Sequence, residues 1–172
     1  DGIAISFKDR TTTFARLDAI ANQIANALIN LGVKPDDRVA VYGANSDHYL
    51  ALFFGCVKAR ATLVGVNARL APPEVAYVLD DSQAKVFLVG SHFYEIAAAA
   101  LDHATNKPMT LALDGGHASW TSYQDWHEAA SSEDPGLPCL PDDDVIQLYT
   151  SGTTGLPKGV QITNQNYMSF FE

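Results

Sequence analysis

Residues 148–163 read LYTSGTTGLPKGVQIT. Between Thr150 and Gly159 stand four hydroxyl residues, three glycines and one lysine. The run follows VIQLY, an apolar segment with the look of a buried strand. A strand that ends in such a loop can approach an anion closely. Its glycines remove side chains and permit positive φ, so main-chain N–H groups can converge on one point. Thr150, Ser151, Thr153 and Thr154 add hydroxyl donors. Lys158 adds a mobile positive charge suited to phosphate oxygens, and Pro157 stiffens the return. A flexible Gly/Thr surface loop is the plain alternative. The phosphate loop of ordinary ATPases and GTPases, G-x-x-x-x-G-K-[ST], does not fit: Pro157 stands five residues after Gly152, and Gly159 follows Lys158 where Ser or Thr is needed.

Upstream of this loop the chain alternates short apolar runs with amphipathic ones. IAISF (3–7) and TTTF (11–14) predict a hairpin across the polar turn KDR. Thr13 can cap a helix over 14–31, with Leu17, Ile20, Ile24, Leu28 and Leu31 on the core face, Asp18, Asn22, Asn26 and Asn30 opposite, and Gly32 as its stop. RVAVYG (38–43) predicts a buried strand. Asn45 or Ser46 can cap the next helix, DHYLALFFGCVKA, which is apolar nearly all round and so expected between two layers. ATLVGV, KVFLVG and MTLAL predict further strands, alternating with the helices PPEVAYVLDDS and FYEIAAAALDHA and a short one near SYQDWHEAA. Strands alternating with helices predict an α/β fold with a largely parallel sheet covered by helices. Residues 131–144, with Pro135, Pro138 and Pro141, read as an internal linker.

Bulk properties narrow the function. The chain has 172 residues, 47% hydrophobic and 18% charged, which suits one globular domain or a piece of a larger one. A net charge of -9 argues against a nucleic-acid or anionic-membrane binder. No apolar run is long enough to span a bilayer. Two cysteines, Cys56 and Cys139, make no disulfide framework and favour a reducing cytoplasm. The chain opens on Asp1 and closes in NYMSFFE (166–172), the start of a helix, so it reads as a fragment of a longer chain.

YTSGTTGLPKG, residues 149–159, resembles the signature of the adenylate-forming superfamily: acyl-CoA synthetases, luciferases and the adenylation domains of peptide synthetases. The similarity extends over TTTFARLDAIANQIANALINLGVKPDDRVAVYGANS and VNARLAPPEVAYVLDDSQAKVFLV, and leaves only about residues 90–140 without recognisable detail. By overall style the chain is most similar to fatty-acyl-CoA synthetases. The resemblance implies the N-terminal part of that fold, cut after the phosphate loop, over residues 1–172, with the C-terminal domain absent. It implies a two-step reaction. A carboxylate, expected to be a fatty acid, attacks the α-phosphate of ATP to give acyl-AMP and pyrophosphate, and a thiol, usually that of CoA, then takes the acyl group. Carried over residue by residue, Thr150, Ser151, Gly152, Thr153, Thr154 and Gly155 would cradle the β- and γ-phosphates. Lys158 would neutralise charge near the leaving pyrophosphate, and Thr150 would sit nearest Mg²⁺. An acyl-AMP ligase serving a carrier protein, and a non-catalytic module that has kept the loop, are the alternatives. The later motifs of the family fall beyond Glu172, so the 172 residues are expected to be inactive alone. Nothing in the sequence fixes the oligomeric state.

Three departures from the family pattern stand out. Asn164 replaces the usual His after Thr163, Arg60 stands where Gly is usual, and Gly65 where Pro is usual; the last two read as local packing changes. Among other polar features, Asp142, Asp143 and Asp144 could attract a hard cation. Neighbours on an extended chain point apart, however, and a solvated turn is expected. His48, His92, His103, His117 and His127 show no zinc spacing, and a surface or helix-end position is expected for each. Ser151 is not in a G-x-S-x-G elbow, which argues against a hydrolase nucleophile. Trp120 and Trp126 are expected to pack rather than stack on bases.

Overall fold

The computed structural model describes residues 2–150 and 156–171. A small antiparallel hairpin, β1 (Ile3–Phe7) and β2 (Arg10–Thr13), forms its own sheet. It leads into helix α1 (Phe14–Asn30), where the Thr13 hydroxyl accepts the Arg16 N–H at 3.2 Å. The main sheet takes β3 (Arg38–Tyr42), β4 (Thr62–Gly65), β5 (Val86–Val89), β6 (Met109–Ala112), β7 (Thr121–Ser122), β8 (Asp144–Thr150) and β9 (Lys158–Thr163). Their spatial order is β7-β6-β5-β3-β4-β8-β9, with every pair parallel except β8 and β9. The helices between strands are α2 (Asp47–Lys58), α3 (Pro72–Ser82), α4 (Tyr94–His103) and α5 (Tyr123–Glu128), and α6 (Asn164–Met168) follows β9.

Strand residues alternate between two cores, one on each face of the sheet. Val39, Val41, Leu63, Val86, Leu88 and Leu111 meet α1, α2 and α5. Ala40, Tyr42, Val64, Phe87 and Val89 meet α3 and α4. Burial on both faces explains why these strands read as unbroken apolar runs. The predicted caps form where expected. Ser46, rather than Asn45, accepts the Tyr49 N–H at 3.2 Å, and Gly32 leaves α1 with φ +84°.

Three expectations need correcting. The face of α1 bearing Asn22 and Asn26 is not free. Residues 131–133 run across it, and the two amides donate to the carbonyls of Ser131, Ser132 and Glu133 at 2.8–3.0 Å, leaving Asn22 buried. Leu31, expected on the core face, lies past the last turn and is 43% exposed. Asp143 is not in a solvated turn: it is buried and held by Arg60 through two hydrogen bonds of 2.8 and 2.7 Å. His127 takes the helix-end position expected for it, in the last turn of α5, and is buried there with no hydrogen-bond partner for its Nδ1 among the described residues. The two tryptophans pack against the cores, as expected. Among the described residues no helix is long and apolar enough to cross a membrane.

Candidate phosphate site

The glycine-threonine loop joins β8 to β9 at the carboxyl end of a parallel strand, the edge of an α/β sheet where ligand crevices form. A strand follows the loop, although KGVQIT carries no continuous apolar run to announce it. It turns back antiparallel, and its register pairs Thr150 with Lys158 across the base of the loop. Directly paired residues point to the same face. The Thr150 and Lys158 side chains therefore emerge on one face, both exposed, beside the exposed apolar pair Leu148 and Val160. Ser151, Gly152, Thr153, Thr154 and Gly155, the other residues expected in the cradle, lie outside the described residues.

The opposite face of the hairpin packs on α3. Tyr149 Oη donates to Asp81 Oδ2 at 2.6 Å and accepts from Gln147 Nε2 at 3.0 Å. Burial, then the bond to Asp81, holds the Tyr149 phenol well above its ordinary pKa, so it keeps its proton. Tyr77 Oη donates to the Pro157 carbonyl at 3.1 Å, with its ring edge-on to Tyr149 at 6.4 Å. Gly159 faces this layer. A Cβ there would overlap Gln147 Nε2 and stand 3.2 Å from Tyr149 Cζ, so this glycine permits a close approach of the two strands' side chains. Tyr77, Asp81 and Gln147 carry no local motif that marks them as partners of the loop. The spacing of Tyr77 and Asp81 puts them on one helix face, but nothing in it points to a loop far along the chain.

Below the hairpin, Arg60 and Asp143 fix its other end. Arg60 has φ +56°, a conformation that favours glycine, which accounts for the family's usual residue at this position. Here its guanidinium makes the bidentate pair with Asp143, and that pairing is what chiefly holds the Asp143 carboxyl below the usual carboxylate range. Asp143 also accepts the Leu140 N–H, and its carbonyl accepts the Asn164 N–H at 2.8 Å. Arg60 is thus an anchor as well as a packing change. Asn164 opens α6 under the Thr163 cap. Gly65 leaves room for the Tyr49 hydroxyl, which would lie 3.1 Å from an added Cβ.

Among the described residues no cluster of three His, Cys, Asp or Glu could hold a metal ion. The exposed Thr150 hydroxyl is a hard oxygen of the kind magnesium accepts, alongside phosphate oxygens.

A family model for AMP-binding enzymes matches residues 1–172. A fatty acid–[acyl-carrier-protein] ligase, ScoC, of Streptomyces coeruleorubidus is 36% identical over 167 residues, covering 96% of this chain and 31% of the relative. The long-chain-fatty-acid–CoA ligase FadD13 of Mycobacterium tuberculosis is 36% identical over 164 residues, covering 94% and 31%. The crystal structure of the anthranilate CoA ligase AuaEII in complex with anthranoyl-AMP superposes with a TM-score of 0.88 at 30% identity, over 97% of this chain and 32% of that one. The chain thus spans about a third of the length of the relatives it matches. By its sheet order, its loop and these likenesses, the chain belongs to the AMP-binding, adenylate-forming enzymes, with fatty-acid ligases among its relatives.

Proposed function

We propose that this chain supplies the triphosphate-binding part of an ATP-dependent acyl-CoA synthetase acting on a carboxylic acid of the fatty class. The observation that carries the reading is the pairing of Thr150 with Lys158 at the mouth of the loop. It brings the Thr150 and Lys158 side chains out on one face of the hairpin, a hydroxyl and a cation of the kinds a triphosphate would need. In the first step a carboxylate oxygen attacks the α-phosphorus, the bond to the β-phosphate breaks, and pyrophosphate leaves. Negative charge grows on the leaving group, and Lys158 opposes it. Such chemistry depends on positioning and on charge stabilisation. Ser151, Gly152, Thr153, Thr154 and Gly155 are proposed to cradle the β- and γ-phosphates through N–H and hydroxyl groups. Thr150 is proposed to hold a magnesium ion, which would offset phosphate charge. In the second step the thiol of CoA attacks the acyl carbon and AMP departs.

Lys158→Ala in the full-length enzyme is expected to slow acyl-AMP formation by roughly ten- to a hundredfold, the effect of losing one charged hydrogen bond of ~1.5–3 kcal/mol. Carboxylate-dependent ATP–pyrophosphate exchange measures it, and unchanged exchange would reject the role. A carrier protein as acceptor is the second reading, favoured by the acyl-carrier-protein ligase among the relatives. Thioester formation with free CoA separates the two. The free thiols of Cys56 and Cys139 support a cytoplasmic setting.

A further inference from the structure

Both legs of the loop are tied to one helix. Tyr149 precedes Thr150 on the outgoing strand, and Pro157 precedes Lys158 on the return. The first is held by Asp81 and the second by Tyr77, four residues apart on α3. Helix α3 is itself fixed in the molecule. Val75, Val78 and Leu79 are fully buried against the sheet, Glu74 accepts the Ala71 N–H at its start, and Asp80 accepts the N–H groups of Thr105 and Asn106 at its end. The contacts on the loop are specific donor–acceptor pairs, and neither the Tyr77 nor the Tyr149 hydroxyl is needed to fill the core.

We infer that Tyr77, with the Asp81–Tyr149–Gln147 chain of hydrogen bonds, is a positioning device that sets the aim of Thr150 and Lys158 toward the triphosphate. The inference rests on the triphosphate reading given above. The device lies on the face of the hairpin opposite Thr150 and Lys158, so it acts through the backbone and touches no reacting atom. Removing the Tyr77 hydroxyl frees the Pro157 carbonyl and loosens the residue just before Lys158. Small displacements of a charge-stabilising group are costly, because its geometry is set before the reaction.

The test uses the full-length enzyme and carboxylate-dependent ATP–pyrophosphate exchange, varying ATP and acid independently. Tyr77→Phe keeps the ring and removes only the donor. It is expected to raise KM for ATP by roughly three- to tenfold, the worth of one neutral hydrogen bond, with KM for the acid unchanged. Asp81→Asn is expected to shift the same constant in the same direction. An unchanged kcat/KM for ATP per active site in both variants, while Lys158→Ala still impairs exchange, would overturn this inference and leave the triphosphate reading standing. A loss of rate fully explained by a smaller fraction of active enzyme, with kcat per active site and both KM values intact, would mark a purely structural role and overturn it too. Absence of exchange in the wild-type enzyme would overturn both readings.

Discussion

At the scale of single residues, the polar groups that matter most are those whose partners lie far away in sequence. His127 shows the physical consequence. Burial is the main cause that lowers its pKa, His48 and Arg16 add repulsion, and Glu128 opposes them. The folded chain therefore favours the neutral ring. An unfolded histidine takes up its proton near pH 6.5. Below that value the unfolded state binds the proton more readily, so stability is lost as pH falls and is regained above it. The urea midpoint is expected to drop between about pH 7.5 and about pH 5.5, before carboxylates such as Asp143 begin to protonate. His127→Gln should flatten that slope; a variant with the wild-type slope would show that another group is responsible. None of this was legible in the sequence, where His127 is one polar residue among the exposed neighbours of a short helix. The glycine-threonine run is legible as a motif for the opposite reason: its residues are consecutive, so Thr150 and Lys158 stand out in the sequence, whereas their pairing across β8 and β9 does not.

At the scale of elements, the contact between α1 and α2 turns on one glycine. Gly55 faces Ile24, and an added Cβ would stand 2.5 Å from Ile24 Cβ and Cγ2. Alanine would improve helix propensity by about 0.8–1 kcal/mol. Overpacking costs about 1–3 kcal/mol. The second effect is expected to win, because Ile24 Cβ is fixed to the backbone of α1 and cannot swing aside. Gly55→Ala should therefore destabilise by about 1–2 kcal/mol in urea unfolding; equal or higher stability would mean that the helices separate at little cost. Apolar periodicity located these helices well, and the caps at Thr13 and Ser46 marked their starts. It failed where the signal is thin. Strand β7 has only two residues, and β9 opens on Lys158-Gly159 and carries Gln161, so neither shows an apolar run. The asparagine stripe of α1 imitates a solvent face, although its amides serve the backbone of residues 131–133.

At the scale of the whole molecule, the alternation of strands and helices was enough to imply the layered α/β architecture, because the inner strands β3, β4 and β5 are buried on both faces and read as apolar runs between amphipathic helices. The order of strands within the sheet was not legible, since parallel neighbours are chosen by long-range packing rather than by adjacent residues. One part of that order bears on how the 172-residue chain behaves. Strand β9 closes one side of the described sheet, with Leu148 and Val160 exposed on its face. A bare strand rim of this kind offers a ladder of free donors and acceptors to any extended segment that meets it. The chain produced by itself is expected to self-associate as its concentration rises, as followed by sedimentation velocity. Val160→Lys should shift it toward monomer, and a wild-type chain monomeric at every concentration would count against the idea. The strand that carries Lys158 is thus expected to make the chain adhesive when it is produced by itself, with the hairpin of β8 and β9 as the place where a companion backbone would zip on.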